Sequence, residues 1–282
     1  MRLLITDLDN TLYDWVTYFA TSFQAMVESL AKSLGVDEER LLDEFKAVHQ
    51  HYGNSEQPFA VFELPSVRSR YGNLSDHDLL YVLEEPLAAF NSQRNTQLCL
   101  YPTVYETLKA LHENGVRIVA HTEAIAVNAY YRLSKLGIAD LFHHIYAVKG
   151  NLGPHPDPKR RDALRAPEGQ LSYVPNEERK PNPELLNDIC HREGIRHEDA
   201  WYVGDSLIKD VVMANRAGVT AVWARYGTKY DPELWKILVR VTHWTDGDIR
   251  REEELRNLHE NMRPDFTIDA FREILALSGF TS

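Results

Sequence analysis

Short apolar runs that stop abruptly against polar residues constrain this chain more than any other feature. Leu3 to Thr6 ends at Asp7, Val116 to Ala120 ends at His121-Thr122, and Ala200 to Val203 ends at Gly204-Asp205. Each run reads as a strand of a parallel sheet buried on both faces. Stretches with helical spacing and a glycine stop lie between and after them: Val104 to Asn114 before Gly115, and Leu207 to Ala217 before Gly218. Strand, helix, strand with glycine exits predicts an α/β fold with a doubly wound parallel sheet. Further strands are expected at His144 to Val148 and Thr220 to Ala224, and a last strand and helix within Asp265 to Leu277.

Residues 15–96 break that rhythm. They carry long helical patterns, Thr17 to Leu34 stopped by Gly35 and Asp37 to His49, with no buried parallel strand. This predicts an inserted helical domain over 15–96, with 1–14 and 97–282 forming the core. The return point is Leu100-Tyr101-Pro102, where proline restricts the residue before it. Gly150 to Arg179 holds Pro154, Pro156, Pro158, Pro167 and Pro175 and is longer than the usual connection in such folds, so it is expected to be a loop. Tyr230 to Arg263 is expected to be helical, with Arg250-Arg251-Glu252-Glu253-Glu254 a solvated face.

Bulk properties narrow the function classes. A formal net charge of -11 argues against nucleic acid or an anionic membrane surface as partner, since both rely on clustered Lys and Arg. Cys99 and Cys190 stand far apart without metal-ligand spacing, which predicts neither a disulfide framework nor a zinc site and fits a reducing cytoplasm. No apolar run approaches the roughly 20 residues of a membrane helix, so the expected protein is cytoplasmic.

The chemistry-bearing residues cluster at strand exits. In extended chain, residues two apart face the same way, so Asp7 and Asp9 of Asp7-Leu8-Asp9-Asn10-Thr11 can converge on one pocket. Two such acids repel unless a cation or a proton intervenes, and Mg2+, which takes few carboxylates, several waters and a substrate phosphate, is the natural cation; an Asp/Asn-rich turn is the plainer alternative. At the second exit, Thr122 and nearby backbone N–H groups can hold a phosphoryl oxygen, or Thr122 can cap a helix. Lys180, in Lys180-Pro181-Asn182-Pro183, can neutralise phosphate charge in a transition state, or lie on the surface. At the third exit Asp205 can reach the same ion as Asp7, or cap a helix, and Asp210 one turn later can orient Lys180 or Ser206.

In open α/β sheets ligands bind at the carboxyl ends of strands, where all these residues fall. Their order, acids then hydroxyl then lysine then acid, resembles that of the haloacid dehalogenase (HAD) superfamily, specifically its phosphatases with a helical cap between the first and second motifs, over nearly the whole chain. The resemblance implies that Asp7 attacks phosphorus and that Asp9 protonates the leaving oxygen and then activates water. It implies that Asp7, the backbone carbonyl of Asp9 and Asp205 hold Mg2+. It also implies that Thr122, Lys180 and the backbone around Asn10 bind the phosphoryl oxygens, with Asp210 as a supporting acid. The expected activity is hydrolysis of a small phosphorylated metabolite through an aspartyl-phosphate. Phosphate monoesters hydrolyse very slowly in water, so nucleophile, proton donor and concentrated positive charge are needed together.

Asp9 argues against a dehalogenase, which protonates no leaving oxygen; a phosphomutase shares these motifs, and a non-catalytic scaffold would not need them. Glu123 departs from the small neutral residue usual after the second-motif hydroxyl, which puts a carboxylate beside the phosphate or turned away from it. Lys159, Arg160, Arg161 and Arg165 of the 150–179 loop can meet an anion or simply be solvated. Tyr13, Trp15 and Tyr18 can line a cavity beneath the cap or form core, and His49, His51, Arg68 and Arg70 are candidate polar contacts to substrate.

Overall fold

The computed structural model describes residues 1–57, 59–150, 155–160, 166–175, 178–245, 247, 250, 254 and 262–280. Arg161, Arg165, Arg251, Glu252 and Glu253 lie outside them.

A seven-stranded parallel sheet forms the centre, built from β1 (Leu3–Thr6), β2 (Arg117–Ile125), β3 (His144–Val148), β4 (Leu171–Val174), β5 (Ala200–Gly204), β6 (Thr220–Ala224) and β7 (Phe266–Ile268). Its order is β4-β3-β2-β1-β5-β6-β7. The chain leaves β1 toward one edge and later returns to build the other, so β1 sits at the switch point where a doubly wound sheet opens a crevice. Strand β1 shows why its sequence lacks alternation. Leu4 faces one core with Leu108, Ala129 and Leu133, while Leu3 and Ile5 face another with Leu186, Ile189 and Met213. With both faces covered by helices, every position is apolar.

One face is covered by α6 (Val104–Glu113), α7 (Ala126–Lys135) and α11 (Glu273–Ser278), the other by α8 (Pro183–Glu193) and α9 (Val212–Ala217). Between β1 and β2 run α1 (Trp15–Leu34), α2 (Glu38–Tyr52), α3 (Pro65–Tyr71), α4 (Asp76–Val82) and α5 (Glu84–Gln97). These share a separate apolar cluster around Phe23, Phe45, Val61 and Leu79. Helix α10 (Pro232–Val241) belongs to the segment expected in the core, yet its Leu238 and Val241 are buried in that same helical cluster. Its Arg240 also reaches Asp43 at 2.7 Å and Glu39 at 2.8 Å on α2.

The segment from 150 to 179, expected as a loop, contains a one-turn helix at Pro158–Arg160 and strand β4, which pairs in parallel with β3 from Ile145↔Leu171 to Val148↔Val174. Strand β4 is the sheet's edge, so three of its four residues stay partly exposed, only Val174 being buried, and it lacks the fully apolar signature of the inner strands. Among the described residues, no helix is long and apolar enough to cross a membrane.

Candidate active site

The register of the three central strands brings the site together. Thr6 pairs with Ala120 on β2 and with Val203 on β5, so Thr122 and Asp205 each lie two positions past that level on either side of Asp7. The Asp7 N–H continues the ladder by donating to the Val203 carbonyl at 2.8 Å. Beyond it the chain turns, with the Leu8 carbonyl accepting from Thr11 and Leu12 N–H groups at 3.2 and 2.9 Å and Asn10 in the left-handed region at φ 57°. The Asn10 side chain does not point its oxygen at a ligand. Oδ1 accepts from the N–H groups of Trp15 and Val16 at 3.1 and 3.3 Å and so ties the turn to the start of α1, while the Asn10 N–H donates to the Tyr13 carbonyl at 2.9 Å and is therefore not free for a phosphate.

Lys180 is buried, and its Nζ donates to Asp7 Oδ1 at 2.6 Å and to Asp210 Oδ1 at 2.9 Å. Asp210 is the hub beneath it. It lies on a π-helical turn, Leu207–Val211, and accepts from the Ser206 N–H on Oδ2 at 3.0 Å and from the Tyr202 hydroxyl on Oδ1 at 3.2 Å. A β-carbon at residue 204 would lie 2.3 Å from the Asp210 carboxylate, so only glycine lets Asp210 fold back under β5. At residue 227 a β-carbon would lie 1.8 Å from the Asn10 carbonyl oxygen, and glycine there lets the loop after β6 press on the turn.

Charge at this cluster is unbalanced. Asp7, Asp205 and Asp210 each offer a carboxylate oxygen within 4.8 Å of the others. Burial pushes Asp7 up to about 7, with Lys180 opposing and Asp210 and Asp9 adding to the rise. Asp205 is held well above the usual carboxylate range by burial and then by Asp210 and Asp7. Lys180 stays firmly charged because Asp210 and Asp7 outweigh its burial. One ammonium against three carboxylates leaves an excess of negative charge that a hard, oxygen-seeking divalent cation fits.

Asp9 sits apart from that cluster. Its Oδ1 accepts from the Tyr13 hydroxyl at 2.6 Å and lies 3.4 Å from Arg132 Nη2. Burial raises its affinity for a proton while Arg132 opposes the rise. Two carboxylates on one turn thus have different surroundings, Asp7 against a lysine and Asp9 against a phenol and a guanidinium.

Thr122 is buried within β2, four residues before α7 begins, and therefore caps no helix; its Oγ1 accepts from the Ala124 N–H at 3.1 Å. Glu123 turns away from the turn after β1 and clamps the lysine segment. Its Oε1 accepts from the Lys180 N–H at 3.0 Å and its Oε2 pairs with Lys209 at 3.1 Å. The departure from the family pattern thus acts on the position of Lys180.

Residues 1–218 match the family model for haloacid dehalogenase-like hydrolases, and residues 178–274 match a second model of HAD-like hydrolases. The chain belongs to the haloacid dehalogenase-like hydrolases. Glyceraldehyde 3-phosphate phosphatase of Methanopyrus kandleri is 27% identical over 279 residues, covering 98% of this chain and 96% of that protein. Phosphoglycolate phosphatase of Vibrio parahaemolyticus is 28% identical over 228 residues, covering 80% and 85%. Among solved structures, 2-haloacid dehalogenase from Pseudomonas syringae shares the fold at TM-score 0.56 and 18% identity, over 99% of this chain and 98% of that one.

In this haloacid dehalogenase-like hydrolase a cavity of about 1410 Å³ opens between the helical layer and α7, walled by Tyr18, Glu56, Arg94, Arg132, Lys149 and His155 among others. Sequence reasoning missed Arg132 and Glu56. Arg132 interrupts the buried face of α7, beside Ala129 and Leu133, and a charge on an apolar stripe was the signal that marks it. Of the expected substrate contacts, His49 is buried in the helical cluster against Phe23, with Nδ1 on the Val241 carbonyl at 2.5 Å. His51 and Arg70 are exposed, and Arg68 pairs with Asp76 at 2.8 Å. Tyr18 lines the cavity, Trp15 Nε1 donates to Glu56 at 2.8 Å, and Lys159 is exposed.

Proposed function

We propose that this chain, a phosphatase of the HAD type, hydrolyses small phosphate monoesters through a phosphorylated Asp7, with Mg2+ as cofactor. The observation that carries the reading is the separation of the two carboxylates on one turn. Asp7 lies against Lys180 and the acid cluster, while Asp9 lies against the Tyr13 hydroxyl and the Arg132 guanidinium.

A carboxylate oxygen of Asp7 attacks phosphorus as the ester P–O bond breaks. Asp9, whose proton burial helps to retain, hands that proton to the departing oxygen. In the second half-reaction Asp9 takes a proton from water, water oxygen attacks phosphorus, the bond to Asp7 breaks, and phosphate leaves with Asp7 again a carboxylate and Asp9 again protonated. Lys180, held by Asp210 and by the Glu123 clamp on its backbone, stands ready to neutralise charge on the phosphoryl oxygens. The Thr122 hydroxyl, whose oxygen accepts from the Ala124 N–H, supplies a further donor. Asp7, Asp205 and the Asp9 carbonyl would hold Mg2+, which supplies positive charge and orients the phosphoryl group when bound.

The helical layer over 15–96 acts as a cap that selects the leaving group, with α10 packed into it. Relatives named for glyceraldehyde 3-phosphate and phosphoglycolate hydrolysis support short, oxygen-rich leaving groups of two or three carbons. The test is release of inorganic phosphate from both compounds, from longer sugar phosphates and from 4-nitrophenyl phosphate, each with and without magnesium. Magnesium-dependent turnover that favours the short esters is expected; turnover of none of them would overturn the reading.

A further inference from the structure

Among the described residues Arg132 is the most deeply buried cation, and the mechanism above leaves its hydrogen-bonding capacity unused. Its side chain is 1% exposed on core helix α7. Nη1 is taken by Glu56, a residue of the helical layer between α2 and α3. Glu56 is itself fixed from several sides: Oε1 accepts from Trp15 Nε1 at 2.8 Å, and Oε2 and the backbone carbonyl each accept from Asn128 Nδ2 at 3.1 Å. The guanidinium lies over the rings of Tyr13 and Tyr18 at 5.7 and 6.0 Å.

Its other edge is open. Nε and Nη2 are buried and make no hydrogen bond. On a planar guanidinium these two N–H groups form a fork that matches a carboxylate. Nη2 stands 3.4 Å from Asp9 Oδ1, close enough for electrostatic attraction and a few tenths of an ångström beyond good hydrogen-bond length. Buried donors left unmade are costly, so a fork kept open beside one carboxylate is a strained arrangement that a small shift of Asp9 relieves.

We propose that Arg132, anchored by Glu56, is a positioning residue for Asp9, aiming the carboxyl at the leaving oxygen. This rests on the reading of Asp9 as the proton donor. The chain Glu56–Arg132–Asp9 runs from the helical layer to the reacting turn, so the acid is organised when that layer is seated against α7. A simple tie between the layers would need Glu56, Asn128 and Nη1 but would leave no unpaired fork at Asp9.

Leaving-group dependence separates the two roles. Expulsion of 4-nitrophenolate needs little protonation, whereas an alkoxide needs a well-placed acid. Arg132→Gln and Glu56→Gln are compared with the parent on 4-nitrophenyl phosphate and on glyceraldehyde 3-phosphate, with kcat and KM measured separately. Arg132→Gln is expected to lower kcat on the alkyl ester about 100-fold and on the aryl ester less than about 5-fold. Glu56→Gln is expected to show the same preference at about 10-fold. Equal losses on both esters, or no loss on either, would overturn the proposal. If Arg132→Gln does not fold, Glu56→Gln decides by the same ratio. Failure of the parent to hydrolyse either ester with magnesium would instead strike the phosphatase reading, so the two outcomes are distinct.

Discussion

Asp7 Oδ1 and Lys180 Nζ lie 2.6 Å apart although 173 positions separate them in the chain. The contact exists because β1 and β5 are neighbours in the sheet while Lys180 hangs from the segment leading into α8, which Asn182 caps through the Glu184 N–H at 3.1 Å. An acid held this way has one oxygen committed to lysine, while the other takes only a long bond of 3.5 Å from the Thr11 hydroxyl.

Asp7→Asn is therefore expected to lower turnover by at least about a thousandfold with the fold unchanged, because an amide does not attack phosphorus. Beryllium trifluoride with magnesium should inhibit the parent by occupying that carboxylate in phosphoryl geometry. Loss of inhibition in Asp7→Asn checks the assignment, and equal inhibition of both proteins would move the nucleophile elsewhere.

The acid cluster sets the second expectation. Chelation with EDTA should abolish activity and added magnesium should restore it. Asp205→Asn removes one negative charge from the acid cluster but leaves the Lys180–Asp210 pair intact, so it should raise the magnesium concentration for half-activity by about tenfold or more. Magnesium titrations of both proteins at saturating substrate provide the measurement.

Glu123 yields a third. Its carboxylate holds the Lys180 backbone and Lys209 together, with the Lys180 N–H at 3.0 Å. Glu123→Ala should loosen the lysine segment and lower kcat about tenfold while leaving the magnesium requirement within about twofold, since Glu123 touches none of the acids of the cluster. A shift of the magnesium curve comparable to that of Asp205→Asn would show that Glu123 acts on the metal site.

Much of this was legible in the sequence because the inner strands are buried on both faces and must be apolar throughout, as Leu3, Leu4 and Ile5 are. Asp7 and Asp205 are found as the first acids after such runs. What escaped obeys different physics. Strand β4 is an edge strand with Tyr173 55% exposed, so it lacks the apolar run. Helix α10 joins the α1 and α2 cluster through contacts across nearly two hundred residues, such as His49 with Val241, which local periodicity does not encode. Arg132 and Glu56 meet only once α7 and the helical layer are docked. Thr is a favoured helix cap, so local sequence offers Thr122 that role, but β2 runs on through Ile125 and the helix starts later.

His49 makes the helical layer sensitive to acid. It is fully buried against Phe23 and Phe45, and burial brings its imidazole down from 6.5 to about 4, with the Val241 carbonyl opposing the fall and His243 adding to it. The unfolded chain therefore binds a proton at His49 at higher pH than the folded chain does. The stability that the neutral imidazole contributes is fully present above the unfolded value of 6.5. It is lost progressively as pH falls toward 4, below which both states are protonated and no further loss arises from this group. Between pH 7.5 and pH 5 the loss should be about 2 kcal/mol. Urea unfolding at the two pH values, followed by tryptophan fluorescence, measures it. Leucine at this position cannot be protonated, so His49→Leu should flatten the pH dependence by that amount even if its own stability is lower, because the hydrogen bond to Val241 is gone. An unchanged pH dependence in His49→Leu would assign the acid sensitivity to other groups.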